Sequence, residues 1–99
     1  MPALSDVLTI LRSHESELRR LGAAHTAVFG SVARGEANNE SDIDILVDLD
    51  HDKSVGVFEY AEMTLYIRDL LAGKGHVSDR ETLKPLLRED ILRDAVSAF

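Results

Sequence analysis

Asp42 and Asp44 stand two residues apart in an apolar run, Ser41-Asp42-Ile43-Asp44-Ile45-Leu46-Val47. Side chains alternate across a strand, so an extended run puts both carboxylates on one side. Two carboxylates held that close repel each other, and each costs free energy to desolvate. A divalent cation removes both problems. Mg²⁺ is hard, prefers oxygen ligands, and is commonly bound by one or two carboxylates together with substrate phosphates. Upstream lies Val28-Phe29-Gly30-Ser31-Val32-Ala33-Arg34-Gly35. Gly30 lets backbone approach a phosphate closely. The N–H groups of a turn and the start of a following helix favour an anion, and the Ser31 hydroxyl adds a donor. One piece can hold a triphosphate and the other its metal, which is the minimum for phosphoryl or nucleotidyl transfer.

The rest of the chain must hold these two pieces together. An interrupted apolar stripe of Leu4, Val7, Leu8, Leu11, Leu18 and Leu21 predicts one helix over residues 4–21, ended by Gly22, with His14 exposed. A strand over 24–29 leads into the glycine turn and a short helix over 30–36. Arg34 reads equally well as a contact to the triphosphate or to a partner, or as a surface arginine paired with Glu36 or Glu40. Ser41 is assigned to bonding local backbone at the start of a strand over 41–48. The acidic loop of Asp48, Asp50 and Asp52 around His51 lacks the glycine and distal glutamate of an EF-hand, so it reads as a solvated turn. A second long helix is expected over 54–72, with Tyr60 and Tyr66 assigned to packing. A short strand over 74–78 follows, and Asp79 reads as a helix N-cap. Pro85 suits the first position of a last helix over 85–98, whose apolar face of Leu86, Leu87, Ile91, Leu92, Ala95 and Val96 is assigned to the core. The outcome is an α/β (α+β) domain, a small mixed sheet of about three or four strands flanked by helices.

The string Gly-Ser-x-Ala-Arg-Gly, then Ser-Asp-x-Asp-x-x-Val, with ten residues between Ser31 and Asp42, resembles the signature of the DNA polymerase β-like nucleotidyltransferase superfamily. In its full form it is similar to the minimal nucleotidyltransferase (MNT) branch, and the resemblance covers nearly the whole chain. It implies Mg²⁺-dependent transfer of a nucleoside monophosphate from ATP to a hydroxyl. Asp42 and Asp44 would hold the metal, and Gly30, Ser31 and Arg34 the nucleotide. It also implies a third carboxylate on the strand over 74–78, acting as general base. Counting back from Asp79 as an N-cap puts His76 in that column. Histidine takes a proton near neutral pH but is a poor Mg²⁺ ligand. A shifted alignment would put Asp79 there instead. Stand-alone MNT proteins of this length imply a partner, a HEPN-domain toxin, and an antitoxin that adds AMP to a toxin tyrosine. Two other readings stay open: a catalytically impaired antitoxin that acts by binding alone, and an enzyme that nucleotidylates a small molecule such as an aminoglycoside.

Composition narrows the field. Ninety-nine residues make one domain over 1–99. An apolar share of 44% and a charged share of 29% are those of a soluble globular protein. A net charge of −7 argues against direct nucleic-acid binding, because a phosphate backbone would be repelled. It leaves room for a basic protein partner or a nucleotide brought in with Mg²⁺. The absence of cysteine excludes disulfides and thiolate chemistry. No signal peptide or membrane-length apolar run is visible, so a cytoplasmic protein without a membrane partner is expected. A homo-oligomer is compatible with the sequence.

Overall fold

The computed structural model describes residues 3–99. In chain order the elements are α1 (Leu4–Ser13), α2 (Glu15–Arg20), β1 (Ala23–Phe29), α3 (Gly30–Ala33), β2 (Ile43–Leu49), α4 (Val57–Leu70), β3 (Gly75–Asp79), a 3₁₀ turn (Arg80–Thr82), α5 (Pro85–Asp94) and β4 (Val96–Ser97). The sheet runs β3-β2-β1-β4. β1 is antiparallel to β2 and to β4, while β2 and β3 are parallel. A parallel pair needs a long crossover, and α4 supplies it.

Alternation along the strands divides the core in two. Val28, Ile45 and Val47 face α1, α2 and α4, where they pack with Val7, Leu11, Leu18, Met63 and Ile67. Ala27, Phe29 and Leu46 face the other way, against Leu83, Ile91, Leu92 and Ala95. Tyr60 and Tyr66 pack at the margin of the larger cluster. Fully burying one Leu or Ile side chain contributes about 1.5–3 kcal/mol, so the first face carries most of the stability. Leu18→Ala is expected to cost about 2–5 kcal/mol by urea denaturation, and Leu86→Ala to stay within about 0.5 kcal/mol of the parent.

Three sequence expectations are corrected. The first helix is broken at His14, whose backbone leaves the helical region (φ −113°, ψ 19°). Thr9 and Ser13 hydroxyls donate to the carbonyls four residues back, at 2.9 and 2.7 Å, and His14 Nδ1 lies 2.8 Å from the Ile10 carbonyl. Side chains that compete for helix carbonyls bend or end the helix. His14 is half-buried, with its ring edge-on to Tyr66 at 6.2 Å.

The last helix stops at Asp94 rather than running to 98, and Val96–Ser97 become a strand on the open edge of β1. Arg12 fastens that strand by donating to the carbonyls of Ala98 (2.7 Å) and Ser97 (3.2 Å).

Nor does α5 bury an apolar face: none of its residues is fully buried, and Leu86 is 93% exposed. The cause lies in β2. Asp44 and Asp48 share the sheet side of Leu46, so little apolar surface is left there for α5 to cover.

Candidate active site

Strand register brings the two pieces together. Phe29, the last residue of β1, pairs with Asp44. The glycine turn therefore starts beside the Asp44 side chain. Gly30 has φ +72°, and a Cβ built there would overlap Asp44 Oδ2. Both features favour glycine, since any larger residue would be strained and would push the Asp44 carboxylate aside. On its other side Asp44 pairs with His76 of β3. His76 Nδ1 lies 3.7 Å from Asp44 Oδ1, longer than a hydrogen bond but a close charge contact when the ring is protonated.

Asp42 stands one residue before β2, not within it as the sequence predicted, and is exposed. Its charge still reaches Asp44. The Asp44 carboxyl is held above the usual carboxylate range, chiefly by burial, with Asp42 adding to the effect and His76 and Arg34 opposing it. The positive groups nearby do not offset the burial of ionised Asp44, and Asp42 adds to its cost. A hard dication fits this donor pair. Among the described residues no group of three or more His, Cys, Asp or Glu side chains converges to hold a metal. A two-carboxylate site suits Mg²⁺, which keeps positions for water and substrate phosphates.

The phosphate-facing turn is shorter than predicted. α3 has four residues, Gly30–Ala33. A single turn sums few peptide dipoles, so the helix itself offers little to an anion, and the donors at this end are the turn N–H groups and the Ser31 hydroxyl. Arg34 donates from Nε to Glu36 (3.0 Å) and from Nη1 to Asp94 (2.7 Å), not to Glu40. Asp94 sits 60 residues further on, at the end of α5, and no local pattern marks it. Ser41 bonds locally: its Oγ accepts from Asn38 N–H at 3.0 Å.

Asp79 lies at the far end of β3, paired with Val47. By alternation it shares the face of Val47 and α4, opposite Asp44, and its charge is felt by Tyr60 of α4. Its carboxylate accepts from Glu81 N–H at 3.0 Å, which is N-cap geometry. His76, not Asp79, is the β3 residue beside Asp44. The acidic loop is a solvated turn. Asp48 accepts from Arg80 (2.6 Å), Asp50 accepts from Asp52 N–H (3.0 Å), and His51 meets Glu81 (2.8 Å).

A mixed sheet with a Gly-Ser turn at one strand end and Asp-x-Asp on the next is the architecture of the nucleotidyltransferase fold. The family profile described as nucleotidyltransferase domain matches residues 6–97, and the chain belongs to that family. Protein adenylyltransferase MntA of Thermococcus cleftensis is 36% identical over 97 residues, spanning 97% of this chain and 96% of that protein. A solved structure of a provisionally named minimal nucleotidyltransferase superposes with a TM-score of 0.77 at 34% identity, covering 96% of this chain and 95% of that one. The complex of a tri-AMPylated Shewanella oneidensis HEPN toxin with an MNT antitoxin superposes with a TM-score of 0.63 at 15% identity, over 93% of this chain and 71% of that one; this is a likeness of fold. Among the described residues no helix is long and apolar enough to cross a membrane.

Proposed function

We propose that this chain is the antitoxin of a HEPN/MNT pair and transfers AMP from ATP, with Mg²⁺, to a tyrosine hydroxyl of its partner toxin. The observation that carries the reading is the half-buried Asp44 carboxylate, set between the Gly30 turn and His76 and within reach of the Asp42 charge. Asp42 and Asp44 hold the metal. Gly30, Ser31 and Arg34 hold the β- and γ-phosphates. Bound there, Mg²⁺ would neutralise the triphosphate and the departing pyrophosphate. The acceptor oxygen attacks the α-phosphorus, the bond to the β-phosphate oxygen breaks, and pyrophosphate leaves. His76, with its side chain 66% exposed, is placed to take the hydroxyl proton. Similarity to a protein named as an adenylyltransferase supports the reaction, and likeness of fold to an MNT antitoxin in complex with an AMPylated toxin supports the partner. A cytoplasmic location goes with this role.

One observation favours a second reading, an antitoxin that neutralises by binding alone. β3 offers a histidine beside Asp44 where the related enzymes are expected to have a carboxylate, and Asp79 lies on the opposite face. Intact mass separates the two. The candidate HEPN-domain partner is incubated with this chain, ATP and Mg²⁺, with Asp42→Asn/Asp44→Asn as control. Mass gain in whole AMP units, absent in the control, is the expected result. An unmodified partner in a stable complex would leave the binding-only reading. His76→Ala is expected to slow transfer by about 10²–10⁴-fold, the range of general-base removal, and to leave complex formation intact.

A further inference from the structure

The two edges of the sheet are finished differently. At one edge β4 is two residues long, and Arg12 donates to the carbonyls of Ser97 and Ala98. At the other edge β3 has five residues. Ile43 N–H donates to the Lys74 carbonyl at 2.9 Å, where the parallel register of β2 and β3 begins. Backbone groups alternate in direction along a strand. Those of Lys74, His76 and Ser78 therefore point to β2, and those of Gly75, Val77 and Asp79 point away from it. The Asp79 carbonyl accepts from the Thr82 hydroxyl at 3.2 Å, which closes that end. Val77 is half-buried, and among the described residues no turn, loop or cap backbone group bonds its N–H or carbonyl. An unpaired edge is a template for another strand, and proteins ordinarily cover or shorten it. This edge also carries His76, the β3 residue beside Asp44, with its side chain 66% exposed.

We propose that β3 takes up an extended segment of the acceptor protein as a fifth strand, and that this segment bears the hydroxyl that receives AMP. The proposal rests on the nucleotidyl-transfer reading. The edge selects the form of the occupant, because a row of backbone donors and acceptors is matched by extended backbone. His76 selects its content, because the acceptor hydroxyl must arrive where its proton is taken. In an antiparallel addition Val77 exchanges both backbone bonds with the new strand. His76 then falls at a non-hydrogen-bonded pair, where facing side chains come closest. The residue opposite His76 lies on the Asp44 face, with the two Cβ atoms about 4.5–5.5 Å apart. A long hydroxyl-bearing side chain there lies along the imidazole. The residues on either side of it in the segment face the other way, towards Val77 and α4. There Val57, 83% exposed, borders a cleft with Tyr60 and Thr82. The segment that fits is therefore a hydroxyl residue between apolar ones.

Val77→Pro tests the proposal. The Val77 N–H points outward, so proline spares the ladder to β2, as it does on edge strands generally. Its ring takes the place of the N–H that the new strand needs. The parent is expected to add AMP to the candidate HEPN-domain partner, and Val77→Pro to lose about tenfold or more in kcat/KM for that partner. Val77→Ile keeps the N–H and should stay within a few-fold of the parent. Stabilisation by Mg²⁺ should be the same in all three, which separates a lost edge from a lost fold. Amide hydrogen exchange in the parent gives an arm that needs no variant. The Val77 N–H should exchange quickly in the free chain and slow at least tenfold in the complex with the partner, while the His76 and Ser78 N–H groups are slow in both. Parental transfer by Val77→Pro, or a Val77 N–H that stays unprotected in the complex, would overturn the proposal and leave the transfer reading standing. So would protection already present in the free chain and lost on dilution, the mark of a second copy on the edge. A partner that gains no AMP from the parent would overturn both.

Discussion

Asp44→Asn is expected to abolish nucleotide transfer and, in the same molecule, to stabilise the metal-free fold at neutral pH. The activity loss follows from the donor set. Replacing groups that only orient a metal ligand costs about 10–100-fold, so removing one of two anionic ligands should cost more than about 100-fold. The stability gain follows from the sign of the Asp44 shift. Burial, with Asp42 beside it, raises the carboxyl above its ordinary range in the folded state. Between the ordinary and the raised pKa the folded protein binds more protons than the unfolded chain. Stability therefore falls as pH rises through that window, and above it the full penalty of the buried charge persists. Asparagine carries no such charge. The Tm of Asp44→Asn should exceed the parent's at pH 7, and the gap should close as pH falls below the ordinary carboxylate range. In a domain of this size each kcal/mol corresponds to about 4–8 °C. Differential scanning fluorimetry across pH, without metal, reads the stability arm. Added Mg²⁺ should stabilise the parent and leave Asp44→Asn unmoved, because the cation takes over the task of neutralising Asp44. A variant less stable than the parent at pH 7 would show that Asp44 is satisfied without a cation.

What was legible in the sequence was what is local along the chain. Gly30 could be read because a left-handed turn is written in adjacent residues, and Asp44 because it stands in an apolar run that forms a strand; Asp42 falls one residue before that strand, so alternation alone does not place it. The strands and the crossover helix could be read for the same reason. Contacts made by tertiary register could not. Asp94 holds Arg34 across 60 residues of sequence. β4 continued the apolar spacing of α5, and only the unpaired edge of β1 converts Val96 from helix to strand. The break at His14 depends on hydroxyls whose competition for carbonyls is invisible to apolar periodicity. The exposed α5 leucines look like core residues in isolation. They stay outside because the sheet face they approach is partly given over to Asp44 and Asp48. That conflict between a site and a core is where sequence patterning is expected to fail.

Gly30→Ala should disable the site as thoroughly as loss of a ligand does, with a control built into the same turn. Gly30 and Gly35 both have φ +72°. An L residue in that region costs about 1–2 kcal/mol whatever surrounds it, so both alanine variants should lose roughly that much stability. Their surroundings differ. A Cβ on Gly35 meets nothing within 4 Å, whereas one on Gly30 overlaps the Asp44 carboxylate. The turn cannot retreat easily, since Phe29 just before it is buried and paired with Asp44. The carboxylate must move instead. A displacement of about 1 Å in a reacting assembly costs on the order of 10²-fold. Gly30→Ala is therefore expected to lose about 100-fold or more in AMP transfer, and Gly35→Ala to keep most of its activity at equal stability. Mg²⁺-induced stabilisation should follow the same split, vanishing in Gly30→Ala and persisting in Gly35→Ala. Equal activity losses in the two variants would mean that backbone strain, rather than the fit of Gly30 against Asp44, sets the requirement for glycine.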